Sequence, residues 1–477
     1  MKENARFRGD FLNRVCRIVL YISLIVCIGS CHLKYALDKA PSHPPVSPYN
    51  THQTKWLDWN VLFQPGADNS ARLQYMNYLQ QYITDYINQY NASNNLHFVV
   101  SQTYIYCPCD SLLYNFSVTP LFASGQAPNP PIPPGRGQGG SGDAVQYTNL
   151  NNSITIDSIT QLMKPVDTTG IISLGSFSVD TSKTLAIMDT GLDSTLYIDH
   201  FNGLLWKAPG GNTIRNFLWF NNGRYLDYYA DDDQFKHGSA VTTIALQALE
   251  KSFDKRPVMP RVMVLKVLDN NRIGSTFTVS CALSYAVQNQ ATLVNASLGY
   301  YSSGDVDSVL RHYVGLCHTA GPKPIPLLAA AGNLPGVHNP PLCGNTDKHN
   351  ELTPSRLFFP ACFTASFPNV ISVTGLQNPQ LSCFYQNYSN TYVSVGVENI
   401  PASGPNCCAF QLPFLLSGYE GSSFATPVVS GKIMGCLLET LPGTVPPDCL
   451  DKISKTPTQP SPQDVTIDGR YIIYKTP

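Results

Sequence analysis

The sequence has 477 residues and a formal net charge of −1, with 43% hydrophobic, 11% aromatic and only 13% charged residues. A chain of this length suffices for two domains and a sizeable core. It carries no long run of lysine or arginine, which excludes an extended nucleic-acid footprint. No nucleic-acid partner is therefore expected.

The first 30 residues are typical of an export signal. Basic residues outnumber acidic ones up to Arg17, and an apolar run of twelve residues follows from Ile18 to Gly29. Twelve residues are too few to span a bilayer, which takes about 20, but they suit the apolar region of a signal peptide. The ending IGSC resembles a bacterial lipobox, which predicts that Cys31 is lipidated and tethers the protein to the bacterial cell envelope. A plainly cleaved signal or a short uncleaved anchor is the alternative.

Export makes disulfides permissible. Eleven cysteines follow Cys31, so at least one is unpaired within the chain, and their spacing does not reveal which of them pair. The CPC at 107–109 and the adjacent Cys407 and Cys408 do not match the paired CxxC spacing of zinc sites. The sequence therefore favours disulfides over metal ligation by these sulfurs.

Three segments precede the main domain. Residues 31–54 contain several prolines and predict an extended tether. Residues 55–122 predict a small β-α-β module, with a helix over 70–90 capped by Asn69 or Ser70 and strands in WNVLFQPGAD, LHFVV and TYIYC. Residues 123–149 are interpreted as a linker, because proline and glycine dominate 123–143, which predicts an exposed and easily cut segment.

The main domain is predicted over 150–445, where short apolar runs alternate with helical patterns. Helices are expected at Ser239–Glu250, Phe277–Asn289 and Asp305–Cys317. This alternation predicts an α/β domain with a mostly parallel central sheet, in which chemistry collects at the carboxyl ends of the strands. Residues 446–477 are interpreted as a C-terminal tail. The expected strands are TLAIM (184–188), RVMVLKV (261–267), ATLVNAS (291–297), IPLLAAA (325–331) and NVISVTG (369–375).

Four short motifs carry chemistry. Asp189 ends the first strand in DTGLD, and His237 begins the helical stretch HGSAVTTIALQALE. Asn333 follows a buried strand in AAAGN, and Ser423 begins a helix in GSSFATPVVSG, where Pro427 is expected in the first turn. Taken singly, the Asp189, His237 and Asn333 motifs are more typical of structural positions than of catalytic groups, and the Ser423 motif is equally typical of a turn. An aspartic peptidase is disfavoured because it needs two Asp-Thr-Gly turns, and only one occurs.

In the order Asp189, His237, Asn333 and Ser423, the four motifs resemble those of the subtilisin-like serine peptidases, the subtilases, over about residues 180–440. The resemblance implies a three-layer α/β fold and a serine endopeptidase that acts on peptide or protein substrates. Asp189, His237 and Ser423 would form the triad, and Asn333 would donate to the oxyanion. Ser297, Leu298 and Gly299 would form the strand that pairs with substrate.

The resemblance implies no required cofactor, although it allows structural calcium, and Asp231–Asp233 is then either a calcium site or a solvated loop. Two departures are noted: Thr242 and Thr243 replace the usual alanine and glycine, and GVENIPA follows Val395 in place of the usual turn. They keep open a catalytically weak binding protein of the same fold. An α/β-hydrolase esterase is disfavoured, because it requires Gly-x-Ser-x-Gly and a different order of the triad.

The N-terminal module occupies the position of a subtilase propeptide, which is a chaperone and inhibitor that is cut off at a linker. A permanent accessory domain is the alternative. Because proline and glycine dominate the linker and a complete triad follows it in the sequence, autoprocessing is hypothesised within residues 123–143.

Overall fold

The structure is a computed structural model. The predicted signal and tether at residues 1–54 lie outside the residues that it describes. Those residues are 55–123, 127–131, 134, 144–156, 177–193, 203–207, 215–217, 220–221, 224–225, 231–253, 257–304, 306–321, 323–334, 350–378, 381–383, 385–400, 410–411, 418–419, 421–439, 446–456 and 466–475.

Helices and strands are numbered here in chain order. The α-helices are α1 (Asn69–Asn94), α2 (His237–Glu250), α3 (Thr276–Gln288), α4 (Ser308–Thr319), α5 (Ser422–Glu439) and α6 (Pro446–Ile453), with 3-10 turns at Ala361–Ala365 and Ile467–Gly469. The strands are β1 (Leu57–Phe63), β2 (Phe98–Cys107), β3 (Asp110–Ala123), β4 (Val145–Leu150), β5 (Ser153–Thr155), β6 (Ser178–Asp189), β7 (Arg215–Asn216), β8 (Phe220–Asn221), β9 (Arg224–Tyr225), β10 (Val258–Lys266), β11 (Ile273–Ser275), β12 (Leu293–Ala296), β13 (Tyr300–Ser302), β14 (Leu327–Ala330), β15 (Leu357–Phe359), β16 (Val370–Asn378), β17 (Leu381–Ser382), β18 (Val395–Ile400), β19 (Phe410–Gln411), β20 (Gly418–Tyr419) and β21 (Tyr471–Lys475).

The N-terminal module is a sheet in the order β2-β3-β1-β4 with α1 packed against it. One face of α1 is buried through residues at three- and four-residue steps, among them Met76, Leu79 and Ile83. The N-cap is Asp68, whose carboxylate accepts a 2.7 Å hydrogen bond from the backbone of Ala71. The predicted caps, Asn69 and Ser70, instead form the first turn, because Asp68 is the residue that keeps the extended backbone of a cap.

The module is larger than the predicted residues 55–122. All but the last residue of strand β4 lies in the range 123–149 that was interpreted as linker, and β4 pairs antiparallel with β1. Described parts of the proline-rich segment also lie against the module, since the Trp56 indole donates to the carbonyl of Pro128 and the Tyr86 hydroxyl to that of Asn129. Composition indicated a loose linker, but backbone carbonyls of this segment accept hydrogen bonds from aromatic side chains of the module.

The main domain is built on a central sheet in the order β21-β18-β16-β14-β12-β6-β10-β7, and within the described residues each neighbouring pair on this path is parallel. Strand β17 adds antiparallel to β16. The predicted α/β class with a mostly parallel sheet is confirmed. Each of the five predicted strands and three predicted helices overlaps an observed element. The predicted and observed ends agree to within three residues, except that β6 begins earlier than the predicted strand.

Helices cover both faces of the central sheet. Successive residues of β14 alternate between two hydrophobic clusters: Leu327 and Ala329 join the cluster that contains α3 and α4, whereas Leu328 joins the one that contains α2 and α5. Because adjacent side chains of a strand point to opposite faces, the two clusters lie on opposite sides of the sheet. The domain therefore has three layers, as expected.

The range 446–477 is not a tail. Helix α6 is joined to α5 by a disulfide between Cys436 and Cys449, and β21 pairs in parallel with β18 at the sheet edge. The sequence YIIYK is short and lacks flanking strand signals, so only its pairing with β18 identifies it as part of the domain. Among the described residues, no helix combines the length and the apolar character that crossing a membrane requires.

Candidate active site

Asp189 lies at the carboxyl end of β6, near the middle of the sheet, and its side chain is 1% exposed. Its backbone carbonyl accepts a 2.9 Å hydrogen bond from Val267, which fixes the strand end against the chain that leaves β10. Its Oδ1 accepts hydrogen bonds from the backbone N–H of Thr190 at 2.8 Å and from Nδ1 of His237 at 2.8 Å. A carboxylate held in this way can fix the tautomer and orientation of an imidazole.

His237 is the first residue of α2 and is fully buried. The preceding residue, Lys236, has a left-handed backbone and provides no side-chain cap. The capping acceptor is instead Asp233, whose Oδ2 receives the backbone N–H of His237 at 3.0 Å. The start of α2, held by a buried carboxylate, therefore positions the imidazole for its hydrogen bond with Asp189.

Gly238 allows the turn after Asp189 to approach the start of α2. A Cβ atom at this position would lie 2.3 Å from the carbonyl oxygen of Gly191, far inside van der Waals contact. The backbone N–H of Gly238 also donates to the hydroxyl of Thr190 at 2.8 Å. The Asp-Thr-Gly and His-Gly motifs thus fit together as one unit.

Asp231 forms hydrogen bonds with both motifs of this unit. Its Oδ1 accepts the hydroxyl of Thr190 at 2.9 Å, and its Oδ2 accepts the backbone N–H and the hydroxyl of Ser239 at 2.9 and 2.7 Å. Burial raises the pKa of Asp231 to about 6, although the hydrogen bonds from Ser239 and Thr190 favour its charged form.

The other two acidic residues of the DDD sequence also have protein partners. Asp232 accepts a 2.8 Å hydrogen bond from Lys266, whose buried ammonium group donates in addition to the backbone carbonyl of Thr190. Asp233 forms an ion pair with Arg272 at 3.8 Å. Each of the three acids therefore has a hydrogen-bond donor or a cationic partner within the protein.

The described ranges contain no group of three His, Cys, Asp or Glu side chains that is arranged to hold a metal ion. The structural calcium that the family resemblance allows stays a prediction.

Ser423 is the second residue of α5 and is 5% exposed. Helix α5 crosses α2 closely, because Gly431 presents no side chain to the backbone of Ala245. The ring of Phe424, next to Ser423, lies 4.9 Å from the imidazole of His237 between centroids. Pro427 lies in the second turn of α5 rather than the first, so the backbone carbonyl of Ser423 lacks the usual helical donor.

Asn333 lies just after β14 and is joined to the start of α5. Its Oδ1 accepts the backbone N–H of Ser422 at 3.0 Å, and the hydroxyl of Ser422 in turn accepts the backbone N–H of Gly332 at 3.0 Å. With Oδ1 engaged, the donor end of the amide is Nδ2. The structure thus brings all four motifs to the carboxyl ends of the central strands.

One link is not closed by a hydrogen bond. Nε2 of His237 is buried and has no hydrogen-bond partner among the described residues. A catalytic hydrogen bond is often long without substrate and shortens only when substrate binds. The start of α5 lies beside this imidazole, since the ring of Phe424, the residue after Ser423, is 4.9 Å from it between centroids.

Ser297, Leu298 and Gly299 follow β12, and all three residues are buried. The hydroxyl of Ser297 accepts the amide of Asn295 at 3.0 Å. Gly299 pairs with Thr155 of the same chain through two backbone hydrogen bonds of 3.0 and 3.2 Å. A Cβ on Gly299 would lie 2.3 Å from the ring of Phe358.

The partner of Gly299 is part of β5, which pairs on its other side with β11 in antiparallel register, Thr155 opposite Ile273. The side chain of Ile154 is fully buried there. Strand β5 follows directly after the last strand of the N-terminal module. The structure therefore places β5 between Gly299 and β11.

Comparison with known proteins agrees with this geometry. The model of the subtilase family, Peptidase_S8, matches residues 180–461, which is more than half of the chain. The chain belongs to the subtilase family.

Cys31, the predicted lipidation site, lies outside the described residues, so lipidation stays a prediction.

Individual relatives are distant. Subtilisin-like protease 2 of Plasmodium falciparum is 27% identical over 259 residues, which is 53% of this chain and 16% of that protein. The chain therefore spans a small part of the length of that relative. Among solved structures, the epidermin leader peptide processing serine protease EpiP from Staphylococcus aureus is similar with a TM-score of 0.48 and 14% identity over 87% of this chain and 96% of that one. A cold adapted subtilisin-like serine proteinase gives 0.40 and 18% over 66% and 98%.

Sequence analysis missed two members of the site. Lys266 is a single charge inside the apolar strand RVMVLKV, and a charge in a buried strand is the signal that could have identified it. Asp231 lay in an acidic triplet that composition describes equally well as surface. Its role became visible only when Thr190 and Ser239, which are distant in sequence, were found on either side of it.

Proposed function

We propose that this subtilase is a serine endopeptidase that hydrolyses peptide bonds through an acyl-enzyme. The observation that carries the proposal is the buried 2.8 Å hydrogen bond between Asp189 and Nδ1 of His237. Nε2 has no partner among the described residues, and the ring of Phe424, next to Ser423, is 4.9 Å from the imidazole. A serine hydroxyl is a poor nucleophile near neutral pH and needs an adjacent base of this kind.

In the proposed reaction, Nε2 of His237 takes the proton of Ser423 as the hydroxyl oxygen attacks the substrate carbonyl, and then returns it to the leaving amine. Asp189 stabilises the imidazolium without accepting the proton. Water hydrolyses the acyl-enzyme in the same way, with His237 again as base. The burial of both Asp189 and His237 favours this role, since their interaction is stronger away from water.

The tetrahedral oxyanion needs hydrogen-bond donors. We assign this role to Nδ2 of Asn333 and the backbone N–H of Ser423. The support is the hydrogen bond from the backbone N–H of Ser422 to Oδ1 of Asn333, which fixes the orientation of the amide and identifies its NH₂ group as the donor end.

The alternative is a catalytically weak binding protein, which the sequence around His237 suggested. Thr242, one of the unusual residues, bonds back to the carbonyl of Gly238 at 2.8 Å within α2. This bond leaves the contact between Asp189 and His237 intact, so it gives no reason to expect a disabled site. The enzyme is the better-supported function.

A fluorophosphonate probe tests the proposal, because it labels only an activated serine. We expect labelling of the chain that disappears in Ser423→Ala and persists in Ser430→Ala, which removes a hydroxyl from the same helix. Absence of labelling in correctly folded protein with an accessible groove would favour the binding protein.

We propose further that the N-terminal module is an inhibitory propeptide and that β5, which directly follows its last strand, occupies the substrate groove. Extended peptides bind peptidases by adding a strand through backbone hydrogen bonds, and β5 makes such bonds with Gly299 and β11. Because β4 and β5 belong to the inhibitory unit, the processing site is expected after Ile156 and before Phe177, rather than at residues 123–143.

The N-terminus of purified active protein tests this assignment. We expect a new N-terminus between residues 157 and 177 in the unsubstituted chain, and an uncut chain in Ser423→Ala. A cut within 124–143, or full activity of the intact chain, would contradict it.

A further inference from the structure

The tip of the β2–β3 hairpin is held firmly against the main domain. Gln288 at the end of α3 donates to the backbone carbonyl of Cys109 at 2.7 Å. The hydroxyl of Tyr313 on α4 donates to Asp110 at 2.7 Å. Two helices of the main domain therefore fix the position of the Cys-Pro-Cys turn of the N-terminal module.

This turn brings two cysteines to a third one on α3. The sulfur atoms of Cys107 and Cys109 are 3.1 Å apart, and Sγ of Cys109 is 3.2 Å from the carbonyl oxygen of Cys281. Cys107 and Cys281, which both contact Cys109, also interact with each other through their thiol groups, and this interaction affects the pKa of both. A disulfide is about 2.05 Å long, so the sulfurs of Cys107 and Cys109 are in contact but not bonded.

The three cysteines differ in their access to solvent. Cys107 and Cys281 are buried thiols, whereas Cys109 is half-buried. The same chain contains the disulfide between Cys436 and Cys449, so its chemistry is compatible with an oxidising compartment.

We infer that Cys107 and Cys281 form a disulfide that links the N-terminal module covalently to the main domain, and that Cys109 is the sulfur through which the oxidising equivalent enters. The oxidant is a disulfide, RSSR, such as oxidised glutathione or the active-site disulfide of an oxidoreductase.

The exchange proceeds in three balanced steps. The thiolate of Cys109 attacks RSSR, which forms a mixed disulfide and releases one RSH. Cys107 then attacks Sγ of Cys109, which forms the Cys107–Cys109 disulfide and releases the second RSH. Cys281 finally attacks Cys107, which forms the Cys107–Cys281 disulfide and returns Cys109 to a thiol. The net reaction moves two electrons from Cys107 and Cys281 to RSSR.

Entry through Cys109 follows from access and acidity. Burial raises the pKa of the Cys107 thiol, and it raises that of Cys281 to about 12. Since the thiolate is the nucleophile, neither buried thiol reacts readily with a reagent in solution. Within the cluster, however, the reacting thiols are already held close together, so exchange between them does not depend on the diffusion of a reagent.

The link has a consequence that rests on the proposed processing. If the main chain is cut between residues 157 and 177, the module stays attached through Cys107 and Cys281 until a reductant breaks the disulfide. Removal of the inhibitory strand would then require both a cut and a reduction.

Peptide mapping tests the disulfide without using peptidase activity. The full chain is incubated with oxidised glutathione, the remaining thiols are alkylated, and the protein is digested without reductant for mass spectrometry. We expect a peptide containing Cys107 joined to one containing Cys281, with Cys109 alkylated, and loss of this species after reduction. The joined species should be absent from Cys281→Ala and retained in Cys317→Ala, which removes another buried thiol of the neighbouring helix.

Recovery of Cys107 and Cys281 in alkylated form, or of a Cys107–Cys109 disulfide alone, would overturn the inference. Mapping of the unsubstituted chain decides the matter even if Cys281→Ala fails to fold. The same digest of Ser423→Ala separates the two proposals, because the disulfide is expected there although processing is not.

Discussion

The hydroxyl of Thr190 donates a 2.9 Å hydrogen bond to Oδ1 of Asp231, which joins the turn after Asp189 to the loop before His237. The other oxygen of Asp231 binds Ser239 in the first turn of α2. Asp231 therefore positions the carboxylate turn and the imidazole helix relative to each other, although it touches neither Asp189 nor His237 through its own oxygens.

Replacement of this positioning residue should lower turnover. In Asp231→Asn, one acceptor oxygen becomes a donor that faces the donors of Ser239, so the start of α2 must shift. Misplacement by about 1 Å costs up to about 10²-fold in rate. We expect a decrease of this order in kcat with little change in KM, measured with a peptide substrate. Asp451→Asn, on the exposed side of α6 in the main domain, is the control, and equal activity of the two variants would contradict the role.

Stability should fall as pH rises from about 4 to about 6. Burial raises the pKa of Asp307, like that of Asp231, from 3.8 to about 6. The folded chain then binds more protons than the unfolded chain in this window, so this contribution is fully present below pH 4 and is lost as pH rises through 6. A shift of this size corresponds to about 3 kcal/mol for each group.

The variant Asp307→Asn isolates one of these groups, because asparagine still caps α4 in place of the carboxylate that accepts from Leu310. We expect the loss of unfolding free energy across the window to be smaller by about 3 kcal/mol than in the parent. Urea unfolding at several pH values, in a Ser423→Ala background to avoid self-digestion, measures it. Parallel curves for the two proteins would refute the prediction.

The amide of Asn333 can be tested with a variant that keeps its structural bond. Asn333→Asp retains Oδ1 for the backbone N–H of Ser422 but replaces the donating NH₂ with an oxygen. Loss of one oxyanion donor costs about 10²–10³ in kcat. Steady-state kinetics should show this loss with a smaller change in KM. Unchanged kcat in a variant with the same melting temperature would remove Asn333 from the oxyanion site.

The close crossing of α2 and α5 predicts a strong effect at Gly431. A Cβ there would lie 2.1 Å from the carbonyl of Ala245, so Gly431→Ala must separate the helices that carry His237 and Ser423. We expect a loss of about 1–3 kcal/mol in the free energy of unfolding together with lower activity. Gly203→Ala is the matched control, since no atom lies within 4 Å of the added methyl group. Similar stabilities for the two variants would contradict the crossing geometry.

Local patterns predicted the elements of the main domain well, because the hydrophobic periodicity of a segment indicates whether it forms a buried strand or an amphipathic helix. They failed where an element depends on a distant partner. Strand β4 lay in a segment interpreted as linker and β21 in one interpreted as tail, and each is a strand only because β1 or β18 provides its hydrogen bonds.

The sequence by itself determined the family resemblance and the four motif residues, since Asp189, His237, Asn333 and Ser423 lie in short motifs whose spacing and order can be read directly. Only the tertiary structure decided what surrounds them. The acids at 231–233, the lysine at 266, the strand at 153–155 and the thiols at 107 and 281 acquire their roles from contacts between residues far apart in the chain. Such contacts follow from how the layers pack, and no local pattern encodes that packing.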